Sequence, residues 1–314
     1  MIDIKMENSE EKIIDNDEID LIVLWKIIWS DKIVILMLTA LFAIASVSYA
    51  LYLPNIYQAD AVLYPSDLKS QTMRRNNTAG LQGIASLAGV NIGSGESAKT
   101  DFAIAVLESK SFITDFIKNH NLKAPLFAIK EWDEKTGNEI FDSALYNIDT
   151  KKWLINSETN ESKEPTELEA YDRFVQNLSI FNDIETGIIT VSYEFISPVR
   201  AKHWVDMLIR DLNNVVRDKD VLLANKSIAY LEVKLEETNV VDIKNMFFKL
   251  IEDQIRTRLL AETKNDYVFE IIDPPVIEEK KIKPSRTLIC IFGAFLGGIF
   301  SLIVVYIRHL WKKQ

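Results

Sequence analysis

The sequence predicts an α+β fold: a membrane-proximal α/β base domain with a long projecting helix, anchored by two transmembrane helices. Three observations predict it. Leu288–Ile307 runs for twenty residues without a charge, which at about 1.5 Å per residue covers a bilayer core of about 30 Å. Ile33–Leu53 is a matching apolar run near the other end. Between them lie strand-like alternation, amphipathic stretches and a helical tract of unusual length after Ser197.

Composition narrows the function. The net charge of −10 argues against a nucleic-acid partner, since phosphate binding needs a basic surface. Residues 1–32 carry nine acidic and four basic groups, a poor match to the short basic leader of a signal peptide, so Ile33–Leu53 is expected to be a retained anchor. The one cysteine, Cys290, lies in the second apolar run, so the middle segment has neither thiol nor disulfide. With both termini inside, Lys26, Lys32, Arg308, Lys312 and Lys313 flank the spans on the cytoplasmic side. Lys69, Lys280, Lys281, Lys283 and Arg286 flank them on the other, and the charge count ties.

Along the chain, the acidic start is expected to be unstructured and Ile19–Trp29, with Trp25 and Trp29, to form an interfacial helix or an extension of the span. Ile56–Tyr64 alternates as a strand. Ser66–Thr100 is glycine-rich and reads as a mobile loop; its Gly93–Thr100 stretch has phosphate-loop spacing. Ala98, however, stands where such a loop needs glycine, and no buried strand leads in. Asp101–Asn119 is spaced as one amphipathic helix. Trp132 and Trp153 are expected on short strands or in loops. Glu164–Asn177 is a helix with Pro165 in its first turn, and Leu178–Phe181 with Gly187–Phe195 makes a strand pair. Ser197 caps a helix opened by Pro198, which continues through Trp204, Leu208, Leu212, Val215, Ile228, Leu231 and Leu235. A soft point at Thr238–Val241 divides the tract of about 198–263, a rod that must leave the domain or pack against copies of itself. Tyr267–Ile272 returns as a strand.

No catalytic constellation emerges. His120, His203 and His309 lack ligand partners at metal-binding spacing, and no cofactor motif is complete. The paired carboxylates Glu236-Glu237, Glu252-Asp253 and Glu278-Glu279 fall on helical or linker stretches and read as solvated faces. The second span is more informative. Gly293 and Gly297, with Gly298 alongside, clear a small-residue face for a helix of this chain, another copy or another membrane protein. Pro274, Pro275 and Pro284 stiffen the link before it.

The chain resembles the O-antigen chain-length determinants, the Wzz family of polysaccharide co-polymerases. The resemblance rests on Ile19-Asp20-Leu21 with Trp29, Leu53-Pro54-Asn55-Ile56-Tyr57, the small-residue run Gly83–Gly89, and Leu107–Phe112. It continues through Thr186-Gly187, Ser197-Pro198 with Ala201 and Trp204, Tyr230-Leu231-Glu232, Asp266–Phe269, and Asp273-Pro274 with Pro284 and a glycine-bearing span. One departure is that Glu278 stands where the family usually has another proline. The resemblance implies a non-enzymatic, homo-oligomeric protein of the bacterial inner membrane. Its partners would be the bilayer, a membrane O-antigen polymerase and lipid-linked polysaccharide. It implies a cytoplasmic segment 1–32, spans at 33–53 and 287–307, a periplasmic domain at 54–286 and a cytoplasmic tail at 308–314. That tail is expected to be too short for the tyrosine-kinase domain fused to some capsule relatives. Three rivals stay open: a co-polymerase for capsule, exopolysaccharide or enterobacterial common antigen; a two-span sensor; and an ATP-driven enzyme using Gly93–Thr100.

Overall fold

A computed structural model describes residues 29–66, 95–156 and 160–313. Most of the expected interfacial helix at Ile19–Trp29 and of the glycine-rich stretch, with the Gly83–Gly89 run, lies outside the described residues. The chain divides into two units, the paired terminal helices and the segment Pro54–Pro284.

The first unit pairs α1 (Lys32–Tyr52) with a helix at the other end of the chain, Arg286–Lys313. Pro54 ends α1: the preceding Leu53 turns extended at φ −71° and ψ 134°, as a residue before proline must. Both helices are long and apolar enough to cross a membrane. A core helix of a soluble protein can match that length and composition, but it would be mostly buried. Here only 6% and 17% of the two apolar windows are buried within the protein, so their apolar side chains face outward, as lipid-facing side chains do.

The second unit is built on a four-stranded antiparallel sheet, ordered β6 (Leu178–Asn182), β7 (Ile189–Phe195), β1 (Tyr57–Pro65) and β8 (Phe269–Asp273). Central β1 (Tyr57–Pro65) buries Tyr57, Ala59, Ala61 and Leu63 at the two-residue period of a half-covered strand. Between β1 and the next strand of this sheet come α2 (Gly95–Leu107), α3 (Lys110–Asn119) and α4 (Lys123–Ala128). Two hairpins follow, β2–β3 (Ile129–Asp133, Asn138–Phe141) and β4–β5 (Tyr146–Asn147, Lys152–Trp153). Then come α5 (Glu167–Gln176), β6 (Leu178–Asn182) and β7 (Ile189–Phe195). β7 pairs with β1 from Tyr57↔Phe195 to Leu63↔Ile189 and buries Ile189, Val191, Tyr193 and Phe195.

This apolar face is covered by the first half of α6 (Pro198–Glu237). Ser197 accepts the amide of Arg200 as N-cap, and Pro198 takes a first-turn position, where its missing N–H costs nothing. Ala201, Trp204, Val205, Leu208, Ile209, Leu212 and Val216 then recur on one buried stripe. The Trp204 ring lies 5.4 Å from Tyr193, edge on, and 4.6 Å from Phe195. Val215, expected on this stripe, is exposed, and Val216 takes its place. Extended residues Thr238 and Val240 break the helix before α7 (Val241–Thr263), within the expected soft point. Branched Thr238, Val240 and Val241 disfavour helix here, and Asn239 offers its backbone local hydrogen bonds. β8 (Phe269–Asp273) then closes the free edge of β1, and Arg286–Lys313 is α8.

Three expectations change. Asp101–Asn119 is not one helix, because Ser109 caps a new one by accepting the Phe112 amide at 3.3 Å. The Glu164 helix begins later, at Glu167: Thr166 and Glu169 form a reciprocal capping box, which leaves Pro165 outside. Gly95–Thr100 is not loop but the opening of α2.

Candidate functional site

The small-residue face of α8 meets α1. A Cβ built on Gly293 would collide with Cβ and Oγ of Ser46, and one on Gly297 would lie 2.5 Å from Cβ of Phe42. Neither contact tolerates a side chain, so the two helices approach as closely as glycine allows. The Ser46 hydroxyl donates to Ala43 O at 2.8 Å within its own helix, so shape rather than a cross-helix hydrogen bond makes this seam. Phe42 and Phe300 rings extend it at 5.5 Å, and Ala50, Ser301 and Val305 are buried along it. Gly298 differs: a Cβ there would meet nothing within 4 Å. Its carbonyl accepts the Ser301 hydroxyl at 2.7 Å.

Pro274 directly follows β8 and is exposed; Pro284 is half-buried at the end of the second unit. Just before Pro284 the chain is stitched to the start of β1. Ile56 N–H donates to Lys283 O at 2.9 Å, and Ile282 N–H donates to Ile56 O at 2.9 Å. Lys281 donates to the Asn55 side chain at 3.1 Å, and Lys283 pairs with Glu194. Beside this knot the buried Tyr57 hydroxyl donates to the Glu134 carboxylate. Burial, then that carboxylate, pushes the hydroxyl up to about 12.

Sequence reasoning missed the clamp that fixes α6. Buried Asn213 accepts the amides of Val268 and Phe269 at 2.9 and 3.0 Å and donates to Phe269 O at 3.1 Å. It thereby satisfies backbone groups that burial would otherwise orphan. A polar residue on an apolar helical stripe was the available signal.

Beyond Asp220 the α6–α7 hairpin changes character. Small Ala224 and Ala261 are buried, and Arg258 donates to Asn225 at 3.2 Å. Yet Leu222, Tyr230, Val233, Val241, Phe248 and Leu259 are each at least half exposed. So much outward apolar surface on one hairpin is what a protein-binding face looks like.

The phosphate-loop reading finds no support at its lysine. Lys99 lies 3.5 Å from Asp220 and 3.7 Å over the Tyr267 ring, committed to the fold. His120 meets Asp211 at 2.7 Å, tying α3 to α6, and His203 is exposed. The three carboxylate pairs are exposed. Among the described residues no group of His, Cys, Asp and Glu could hold a metal ion.

Residues 17–120 match the family model described as "Chain length determinant protein". The chain carries a Wzz domain. A second match, over residues 241–310, is to GNVR, the "G-rich domain on putative tyrosine kinase". No curated protein matches this sequence. Among solved structures, a "full-length bacterial polysaccharide co-polymerase" is similar at 14% identity and TM-score 0.41, covering 95% of this chain and 99% of that one. A fragment of WzzB, a polysaccharide co-polymerase from Salmonella Typhimurium, is similar at 12% identity and TM-score 0.28, covering 73% and 100%. The matched stretch takes in α1, β1 and α2 and runs to the end of α3. Over that stretch the chain is similar to the chain length determinants.

Proposed function

We propose that this chain is a non-enzymatic co-polymerase of the bacterial inner membrane that sets the chain length of lipopolysaccharide O-antigen made by a membrane polymerase. The Wzz domain at residues 17–120 carries this reading. In it, Pro54–Pro284 is periplasmic, both termini are cytoplasmic, and copies associate through the outward apolar surface of the α6–α7 hairpin. Gly293 and Gly297 hold α8 against α1, while the open flank at Gly298 is left for the polymerase or a sister helix. Pro274 and Pro284 stiffen the connection from β8 to that helix. The proposed partners are the polymerase, the bilayer and a lipid-linked polysaccharide, and no cofactor enters the scheme.

Lipopolysaccharide from cells with and without the gene, resolved as a ladder on a gel, tests it. Loss of a clustered modal band with polymer still made is the expected result; an unchanged ladder rejects the O-antigen assignment. A second reading, a co-polymerase for capsule or exopolysaccharide, draws support from the GNVR match at residues 241–310. It predicts the same loss of length control in that polymer instead.

A further inference from the structure

A cleft of about 440 Å³ opens between the α3–α4 connection, the β4–β5 hairpin and the start of α5, within the size range of small-molecule sites. Lys118, Lys123 and Lys151 line it from three elements. So do Tyr146 and Trp153, whose rings meet edge to face at 5.2 Å. Lys123 pairs with Glu164 at 3.0 Å across the cleft. Lys118 and Lys151 form no ion pair among the described residues; Glu167 also lines the cleft, so three lysines against Glu164 and Glu167 leave it net positive on a chain of net charge −10. A concavity with excess positive charge favours an anion.

The backbone gives an independent sign. Among the described residues three non-glycine residues have positive φ, and two of them, Asn121 at 53° and Lys151 at 52°, line this cleft. Asparagine tolerates that conformation; lysine is strained by it, and glycine would relieve the hairpin. A lysine held there keeps a side chain that the fold itself does not need.

We infer that this cleft binds an acidic saccharide unit. Its carboxylate is taken by Lys118 and Lys151, and its C–H face lies against the electron-rich face of the Tyr146–Trp153 ring pair. Glu164 is placed to accept a sugar hydroxyl. The inference rests on the polysaccharide reading for its ligand class, and makes the protein a reader of the glycan as well as a scaffold.

The test uses full-length protein in detergent, titrated calorimetrically with a hyaluronan tetrasaccharide, with maltotetraose as the neutral probe and inorganic phosphate as competitor. The acidic tetrasaccharide should bind at least tenfold more tightly than maltotetraose. Lys118→Gln and Lys151→Gly should each weaken it about tenfold, the loss of one charge-assisted contact. Lys118 is exposed on its helix and Lys151→Gly relieves strain, so both variants should fold, as circular dichroism would verify. Equal binding of both sugars, unchanged affinity in both variants, or full displacement by phosphate at matched ionic strength overturns the inference. If the gene controls a glycan ladder but the protein binds no acidic sugar, the cleft fails and length control stands. Sugar binding without any effect on a ladder leaves the cleft standing and rejects length control.

Discussion

The two halves of α6 obey different rules. From Pro198 to Val216 nearly every apolar residue on one stripe is buried against the sheet, and buried Asn213 accepts from Val268 and donates to Phe269. From Val221 to Glu237 only Ala224 is buried, while Leu222, Leu223, Tyr230 and Val233 are exposed. Both halves are helical throughout, so the difference lies in what each has to cover. The first half is specified by the fold of its own chain. The second is specified by something outside it, which in our reading is another copy.

The largest expected effect belongs to the first half. Trp204→Ala should cost about 3–5 kcal/mol, since it empties the space among Phe174, Tyr193 and Phe195; urea unfolding followed by circular dichroism measures it. Asn213→Ala should cost about 2–3 kcal/mol by the same assay, because it orphans two buried amides and a carbonyl. A loss below about 0.5 kcal/mol in either variant would erase the contrast.

The second half should respond in the opposite sense. Leu222→Glu and Leu259→Glu should change unfolding stability by no more than about 0.5 kcal/mol, yet reduce assembly mass in detergent and blur the glycan length distribution. If assembly survives both, the exposed hairpin surface has another use. The spans offer a matched pair on one helix: Gly297→Leu should separate α8 from α1, and Gly298→Leu should not. Cysteine crosslinking between the two helices distinguishes them.

The last effect is confined to alkaline solution. Tyr57 loses its proton at about 12 when folded, against an ordinary value of 10.0. Its contribution to stability is therefore intact below pH 10 and disappears as pH rises toward 12. Tyr57→Phe should flatten that limb of the stability curve.

The first half of α6 was legible in sequence because its cues are local: a capping serine, a first-turn proline and apolar residues three and four apart. The strands of the sheet were legible by alternation, and the hairpin break by its branched residues. What escaped needed knowledge of distant neighbours. Ser109 ends one helix and caps another, which periodicity across Asp101–Asn119 conceals. Asn213 has no meaning until Phe269 arrives beside it. In the second span the glycines were visible but not their surroundings; only Ser46 and Phe42 opposite them separate Gly293 and Gly297 from Gly298. The lysine cleft was illegible because its side chains come from segments that no spacing rule connects.

The stitch between Ile56 and Lys283 has a consequence for the helices on either side of it. Only Leu53, Pro54 and Asn55 separate it from α1, and only Pro284 and Ser285 from α8. The spans are therefore tethered neighbours, and they meet at a local concentration set by those few residues rather than by dilution through the bilayer. The entropy of bringing them together is spent when the sheet closes. A seam made only of shape can then suffice to keep the two helices paired.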